Sequence, residues 1–297
     1  MIINSTSLNA LRAGFKTEFQ GALEAAESTR DRVATTVRST TSENRYGWLK
    51  KLPGMREWIG PRVLNLLAES DYSLKNRKFE MTIEVGRDDI EDDNLGQYSL
   101  LFSEMGESAG THPEKLVYDA LKAGFDTECF DGQNFFDTDH PITDEDGNET
   151  VYSNFGGGSG TPWFLLSTRR KVKPIILQER KPIAFTYKDN PNDDNVFFND
   201  TFVYGADCRM VAGYSLPQLA YASKDTLNAT NFAAAYAAIE SMKGDGGRPL
   251  GLKPDLLVVP PTLREQAQEI LKAARNDAGA TNPWFDTADL LVVPWLA

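Results

Sequence analysis

The most specific chemical pattern in the chain is Gly106-Glu107-Ser108-Ala109-Gly110, a G-x-S-x-G run with His140 and several aspartates downstream. Such a run serves acyl transfer when the serine sits on a tight strand-to-helix turn, because that turn exposes the hydroxyl to a histidine base. Here the residues leading to Ser108 carry helical spacing and His112-Pro113 follows, so an ordinary helical serine is expected. Asp137, Asp139 and His140 offer donors for a divalent metal, yet their close spacing ahead of Pro141 reads as a polar turn. Asp144, Asp146 and Gly147 resemble a calcium loop. Placing Gly147 at the sixth position puts Ile142 first and Ser153 twelfth, where carboxylates are needed. Gly244-Asp245-Gly246-Gly247-Arg248-Pro249-Leu250-Gly251 is rich in glycine but has no GK[ST] and opens no helix, so it reads as a turn and not a phosphate cradle. Cys129 and Cys208 form no CxxC, and with two histidines in the chain a Cys/His zinc site is all but excluded on spacing. Free thiols of a reducing cytoplasm are expected, with no catalytic residue, no metal and no cofactor.

The elements that would position these residues follow from periodicity. Leu8, Leu11, Phe15, Phe19, Ala22 and Ala26 recur at spacings of three and four, which predicts an amphipathic arm helix within 8–37 that packs on something else. Phe79, Met81, Ile83 and Val85 alternate with Glu80, Thr82 and Glu84, the mark of a half-buried strand. The run Val63 to Leu74 is the expected antiparallel partner, with the turn near Lys75 to Lys78, so the segment reads as a projecting hairpin. Between Lys50 and Lys78 seven positive residues face three negative ones. An acidic stretch, Asp88-Asp89-Ile90-Glu91-Asp92-Asp93, then precedes a helical phase that persists from about Leu95 to Phe125, with a kink or brief break expected at Pro113. Short β signals follow: Trp163 to Leu166, Ile175 to Gln178, Ile183 to Tyr187, Val196 to Phe198, Phe202 to Tyr204 and Met210 to Tyr214. The C-terminal stretch alternates a helix bearing Phe232, Tyr236 and Ile239, a strand Leu256 to Val259, a helix opened by a Thr262 to Glu265 capping box, and a strand Leu290 to Val293. No internal repeat is visible.

Composition narrows the function. The 297 residues suffice for one large domain or two ordinary ones, and 41% hydrophobic with 25% charged residues is ordinary for a packed fold. A formal charge of -12 makes the whole chain repel polyanions, so any contact with DNA is local or indirect. Trp58, Trp163, Trp284 and Trp295 are too scattered to form a base-stacking platform and read as core or subunit-contact residues. No apolar run approaches the length of a membrane span, and residues 1–10 have no signal-peptide character, so a cytoplasmic protein with no membrane partner is expected.

Five segments then carry a resemblance: Leu116 to Phe125 (LVYDALKAGF), Phe135 to Pro141 (FFDTDHP), Lys173 to Glu179 (KPIILQE), Phe202 to Gly213 (FVYGADCRMVAG) and Gly246 to Pro261 (GGRPLGLKPDLLVVPP). In this order they resemble the Mu-like phage and prophage major head subunits, the Hong Kong 97 type of major capsid fold. The resemblance implies an α+β chain with an N-terminal arm over 1–46, an extended loop over 47–91, a spine helix over 92–130, a β-rich peripheral region over 131–225 and an α/β axial domain over 226–297. One departure stands out: the run beginning at Trp163 precedes the axial segment, and a permuted order would bring Leu290 to Val293 near Trp163 to Leu166.

The implied function is self-assembly into hexamers and pentamers of an icosahedral shell around double-stranded DNA, guided by a scaffold protein and a portal, with decoration proteins as possible further partners. The DNA would be enclosed without specific binding, and assembly would take place in the host cytoplasm. No crosslinking Lys and Asn pair carries over, so non-covalent contacts are expected, and with Met1 present no large N-terminal scaffold segment is expected to be removed. Trp58, Lys75, Arg77, Lys78, Phe79, Met81, Ile83, Val85, Asp88 and Asp89 are the expected subunit contacts. The apolar members would supply burial and the cations charge matching to an acidic neighbour. The alternatives are an encapsulin-like compartment and a hydrolase built on Ser108 or on Asp137 to His140.

Overall fold

A computed structural model describes residues 4–50, 72–92, 96–275 and 279–297. The arm helix α1 (Ser5–Ala25) starts at Asn4, whose Oδ1 accepts from the Ser7 amide at 2.9 Å while the Ser7 hydroxyl accepts from the Asn4 amide at 3.0 Å. That reciprocal cap satisfies two amides the first turn cannot pair. The helix stops at Ala25, short of the periodicity expected up to Val37. After a single turn, α2 (Arg30–Val33), the chain becomes strand β1 (Ala34–Arg38), whose β-branched Thr35, Thr36 and Val37 take an open sheet edge.

The spine helix α4 (Gly96–Ala123) follows the short α3 (Arg87–Glu91) and runs through Pro113 as one element. At 1.5 Å per residue it is about 42 Å long. Helices α1 and α4 lie side by side in the same direction: Phe15 stacks on Phe102, Phe19 and Ala22 meet Gly106, and Leu23 and Ala26 meet Gly110. Thr29 closes the seam, its hydroxyl 2.6 Å from the Glu114 carboxylate and its amide donating to the same oxygen.

The two ends of α4 serve different cores. Its first half covers one face of a four-stranded sheet ordered β1, β9 (Ile175–Lys188), β10 (Thr201–Tyr214), β4 (Arg77–Gly86). There Phe102, Met105 and Ala109 pack with Phe15, Phe19, Val85, Phe202 and Tyr204. Its second half covers a five-stranded sheet ordered β13 (Asp289–Val292), β12 (Leu256–Val259), β8 (Trp163–Leu166), β11 (Ala220–Lys224), β7 (Phe155–Gly158). Every residue of β8 and β12 is buried. Alternate side chains explain why: Phe164, Leu166, Leu256 and Val258 face Val117, Tyr118 and Leu121 of α4, while Trp163, Leu165, Leu257 and Val259 face a second core with α6 (Ala229–Glu240) and α7 (Arg264–Lys272). A strand covered on both faces reads as an unbroken apolar run.

Several expectations change. The alternation of Phe79, Met81, Ile83 and Val85 does make a half-buried strand, but β4 pairs along its length with β10, from Gly86 opposite Thr201 to Arg77 opposite Met210. No turn lies at Lys75 to Lys78. Strand β3 (Ser73–Lys75) pairs instead with β2 (Glu43–Arg45), and the buried Asn76 joins it directly to β4. Residues 63–71 of the expected partner strand lie outside the described residues. Val196 to Phe198, expected as a strand, form the short helix α5 (Asp194–Asn199) at the tip between β9 and β10. Helix α7 follows a 3₁₀ turn, Pro261–Leu263, without a side-chain cap, so the Thr262 to Glu265 box does not form. The boundary expected between 131–225 and 226–297 cuts through one sheet, because β8 pairs with β12 on one side and β11 on the other. Leu290 to Val292 thus share a sheet with Trp163–Leu166, with β12 lying between them.

Candidate functional site

The elbow motif is a helix crossing. A Cβ on Gly106 would lie 2.2 Å from the Phe19 carbonyl oxygen, and one on Gly110 would lie 2.4 Å from the Ala26 Cβ. Both glycines therefore let α1 reach the α4 backbone, and Ser108 between them is a helical residue. Ser108 lines a shallow pocket of about 160 Å³ with Phe79, Met81, His112, Ile183 and Cys208. His112 packs edge-on against the Phe79 ring at 4.4 Å, and burial, then Lys115, hold its pKa below the ordinary histidine value. Among the described residues no hydrogen bond joins Ser108 to either histidine, so the triad geometry of acyl transfer is not assembled.

The two turn motifs are spent internally. Asp144 accepts the amides of Asp146 and Asn148 at 2.9 and 2.8 Å, closing the turn between β5 (His140–Thr143) and β6 (Glu149–Tyr152). Those bonds, led by Asn148, lower its pKa. In the Gly244 to Gly251 turn the Gly244 amide donates to Arg248 and the Gly246 amide to Thr143, leaving no nest for a phosphate.

His140 is fully buried, and its ring nitrogens meet Asp131 and Asn154. Its Nδ1 lies 2.8 Å from Asp131 Oδ2, its Nε2 3.2 Å from Asn154 Oδ1, and its ring stacks on Tyr152 at 4.9 Å between centroids. The Cys129 thiol donates to Asp131 Oδ1 at 3.0 Å. Burial alone would raise the Asp131 pKa, but the bonds from His140 and Cys129 more than offset it and hold the carboxyl below its ordinary value. Sequence spacing pointed from His140 to Asp137 and Asp139; the fold brings it to Cys129 and Asp131 instead.

Of the expected subunit contacts, Trp58 lies outside the described residues. Lys75, Arg77, Lys78 and Asp88 are exposed, and Asp89 accepts from the Tyr98 hydroxyl at 2.6 Å. The apolar face of β4 is mostly consumed within the chain: Val85 is fully buried, Met81 and Ile83 pack against the α1 and α4 core, and Phe79 meets His112. Within one chain that face is covered fully at Val85 and only in part at Phe79, Met81 and Ile83. Exposed apolar surface lies elsewhere, at Phe197 (77% exposed), Phe198 (74%) and Leu100 (72%). Two adjacent phenylalanines flanked by Asn and Asp at 194–200 were the available sequence signal.

A molecule of this shape has two covered cores on one long helix, a packed arm and uncovered aromatic tips, with no assembled catalytic triad among the described residues. This architecture agrees with the shell-subunit fold of the Hong Kong 97 type that the sequence resemblance implies. The chain matches the family described as Mu-like prophage major head subunit gpT over residues 8–296, and it belongs to that family. It is 42% identical to the major capsid protein of Escherichia phage Mu, with 100% of both chains covered. It is 43% identical to the Mu-like prophage FluMu major head subunit of Haemophilus influenzae, over 89% of this chain and 88% of that one. Among solved structures it superposes on a chain of the bacteriophage JBD30 procapsid with TM-score 0.87 and 45% identity, covering 99% of this chain and 100% of that one. A chain of the JBD30 capsid matches with TM-score 0.79 and 38% identity, covering 100% of both. Among the described residues no helix is long and apolar enough to cross a membrane.

Proposed function

We infer that this chain is the major capsid protein of a Mu-like phage or prophage, many copies of which build the head shell. The observation that carries this reading is the end-to-end match, in sequence and fold, to subunits of phage capsids. The role is mechanical and not catalytic, since its relatives are structural shell proteins.

Finer features of the reading rest on physics. Hexamers and pentamers would close the shell without covalent crosslinks, the exposed Lys75, Arg77, Lys78 and Asp88 matching charge on neighbours and the tip pair Phe197 and Phe198 supplying apolar burial. The net charge of -12 suits a container that encloses double-stranded DNA without gripping it. A scaffold protein and a portal would guide assembly in the host cytoplasm. The JBD30 capsid is known decorated with minor capsid protein trimers, and a related protein is the decoration partner expected here.

Electron microscopy of the purified protein, alone and co-expressed with its scaffold, tests the reading. Closed icosahedral particles are expected; a monodisperse monomer under both conditions at high concentration would overturn it. Tight duplex binding by isolated capsomers, weakening steeply with salt, would overturn the claim that DNA is enclosed without being gripped.

A further inference from the structure

Cys129, Asp131 and His140 converge so that one donor atom from each lies within 4.8 Å of the others. Tetrahedral zinc, with bonds of roughly 2.0–2.3 Å, separates its ligand atoms by roughly 3.3–3.6 Å, so shifts of about 1 Å would close the three on a single ion. Thiolate, imidazole and carboxylate together suit a borderline-soft divalent cation better than calcium or magnesium.

The surroundings decide which ring nitrogen is offered. Asn154 donates from Nδ2 to the Phe135 and Pro217 carbonyls at 2.8 and 3.2 Å, and its Oδ1 accepts the Asp137 amide at 2.9 Å. The amide is thus oriented by three backbone partners, and the atom facing His140 Nε2 is an acceptor. Nε2 must carry a proton, which leaves Nδ1 to point at Asp131 and Cys129. Histidine ligands to metals are held in this way, the second nitrogen donating to an oxygen that fixes the tautomer.

A further polar atom stands nearby without a partner. The Tyr152 hydroxyl is buried and makes no hydrogen bond, and its ring lies flat on His140. Its pKa is raised, by burial first, and its stack on His140 sets the phenol beside the same donors. Asp137 and Asp139 lie within electrostatic reach of His140 and Asp245 of Tyr152, while the cationic Arg248 lines the same cavity as Asp131, Tyr152 and Asp245.

We propose that Cys129, Asp131 and the Nδ1 of His140 form a structural site for zinc or a similar divalent cation, tying 129–154 to the core that holds Cys129 and Phe135. With metal bound, the thiol gives up its proton, and the dication is balanced by the Cys129 thiolate and the Asp131 carboxylate. The site lies wholly within one chain and does not depend on the shell reading.

The test uses the full chain stripped by a chelator and titrated with cobalt(II), then with zinc. We expect one ion per chain, an intense thiolate-to-cobalt charge-transfer band, and affinity that rises with pH as the thiol proton is displaced. Cys129→Ser should abolish the band, His140→Gln should weaken binding at least 100-fold, and Cys208→Ser should change neither. Should Cys129→Ser fail to fold, the unsubstituted chain still decides: a folded protein with no thiolate band, or with a band lost in Cys208→Ser, overturns the proposal.

Discussion

The two sheets strung on α4 are covered differently. In the five-stranded sheet α4 takes one face and α6 with α7 the other, so β8 and β12 are apolar at every position. In the four-stranded sheet α1 and α4 cover one face, and β4 presents Lys78, Glu80, Thr82 and Glu84 on the other. The first is a self-sufficient anchor. The second ends in a tip where Phe197 and Phe198 meet each other edge-on at 5.1 Å and are otherwise exposed. Self-completion at one end and an unfinished surface at the other is what a subunit needs to fold alone and still bind its neighbours.

The contrast can be broken most severely at the anchor. Phe164→Ala empties a fully buried position between α4 and the sheet, and we expect a loss of about 3–5 kcal/mol, visible in chemical denaturation as a reduced midpoint and in expression as loss of soluble chain. At the arm seam, Gly106→Leu drives a side chain into the Phe19 carbonyl and should cost about 1–3 kcal/mol. Proteolysis should then release α1 before the rest of the molecule unfolds; uniform unfolding would show that the seam is not a separate unit.

Acid sharpens the comparison at the Asp131 cluster. The Asp131 carboxyl has a folded pKa below its ordinary 3.8, so its stabilisation is complete above about pH 4 and is lost as pH falls through the lower, folded value. Asp131→Asn should cost about 1–3 kcal/mol at neutral pH, because the amide keeps one acceptor oxygen for the two donors Cys129 and His140, and the two stability curves should converge as pH falls through the folded value, below about pH 4. Parallel curves down to pH 2 would contradict this assignment.

The smallest effect on the monomer is expected at the tip. Phe197→Ser with Phe198→Ser should move unfolding free energy by no more than about 0.5 kcal/mol, because both side chains are exposed. Particle yield by electron microscopy should nevertheless fall sharply. Normal particles from this double variant would place the apolar subunit contacts elsewhere.

Much of this was legible locally. The phase of Phe102, Met105 and Ala109 marks α4, and the alternation from Phe79 to Val85 marks β4, because each pattern is set by neighbours within one element. The unbroken runs at Trp163–Leu166 and Leu256–Val259 announce strands covered on both faces. Five ordered segments sufficed to recognise the family.

What only the tertiary structure decided is partnership. Nothing in the spacing of β4 says that its ladder is filled by β10, or that β8 joins a sheet with strands near the C-terminus. Nor does it say that Gly106 is a seat for α1, or that His140 meets Cys129 and Asp131 and not Asp137 and Asp139. Periodicity reports which face of an element avoids water, since that depends on residues a few positions apart. Which surface covers that face depends on ladders and contacts between distant segments, and those are fixed only when the whole chain packs.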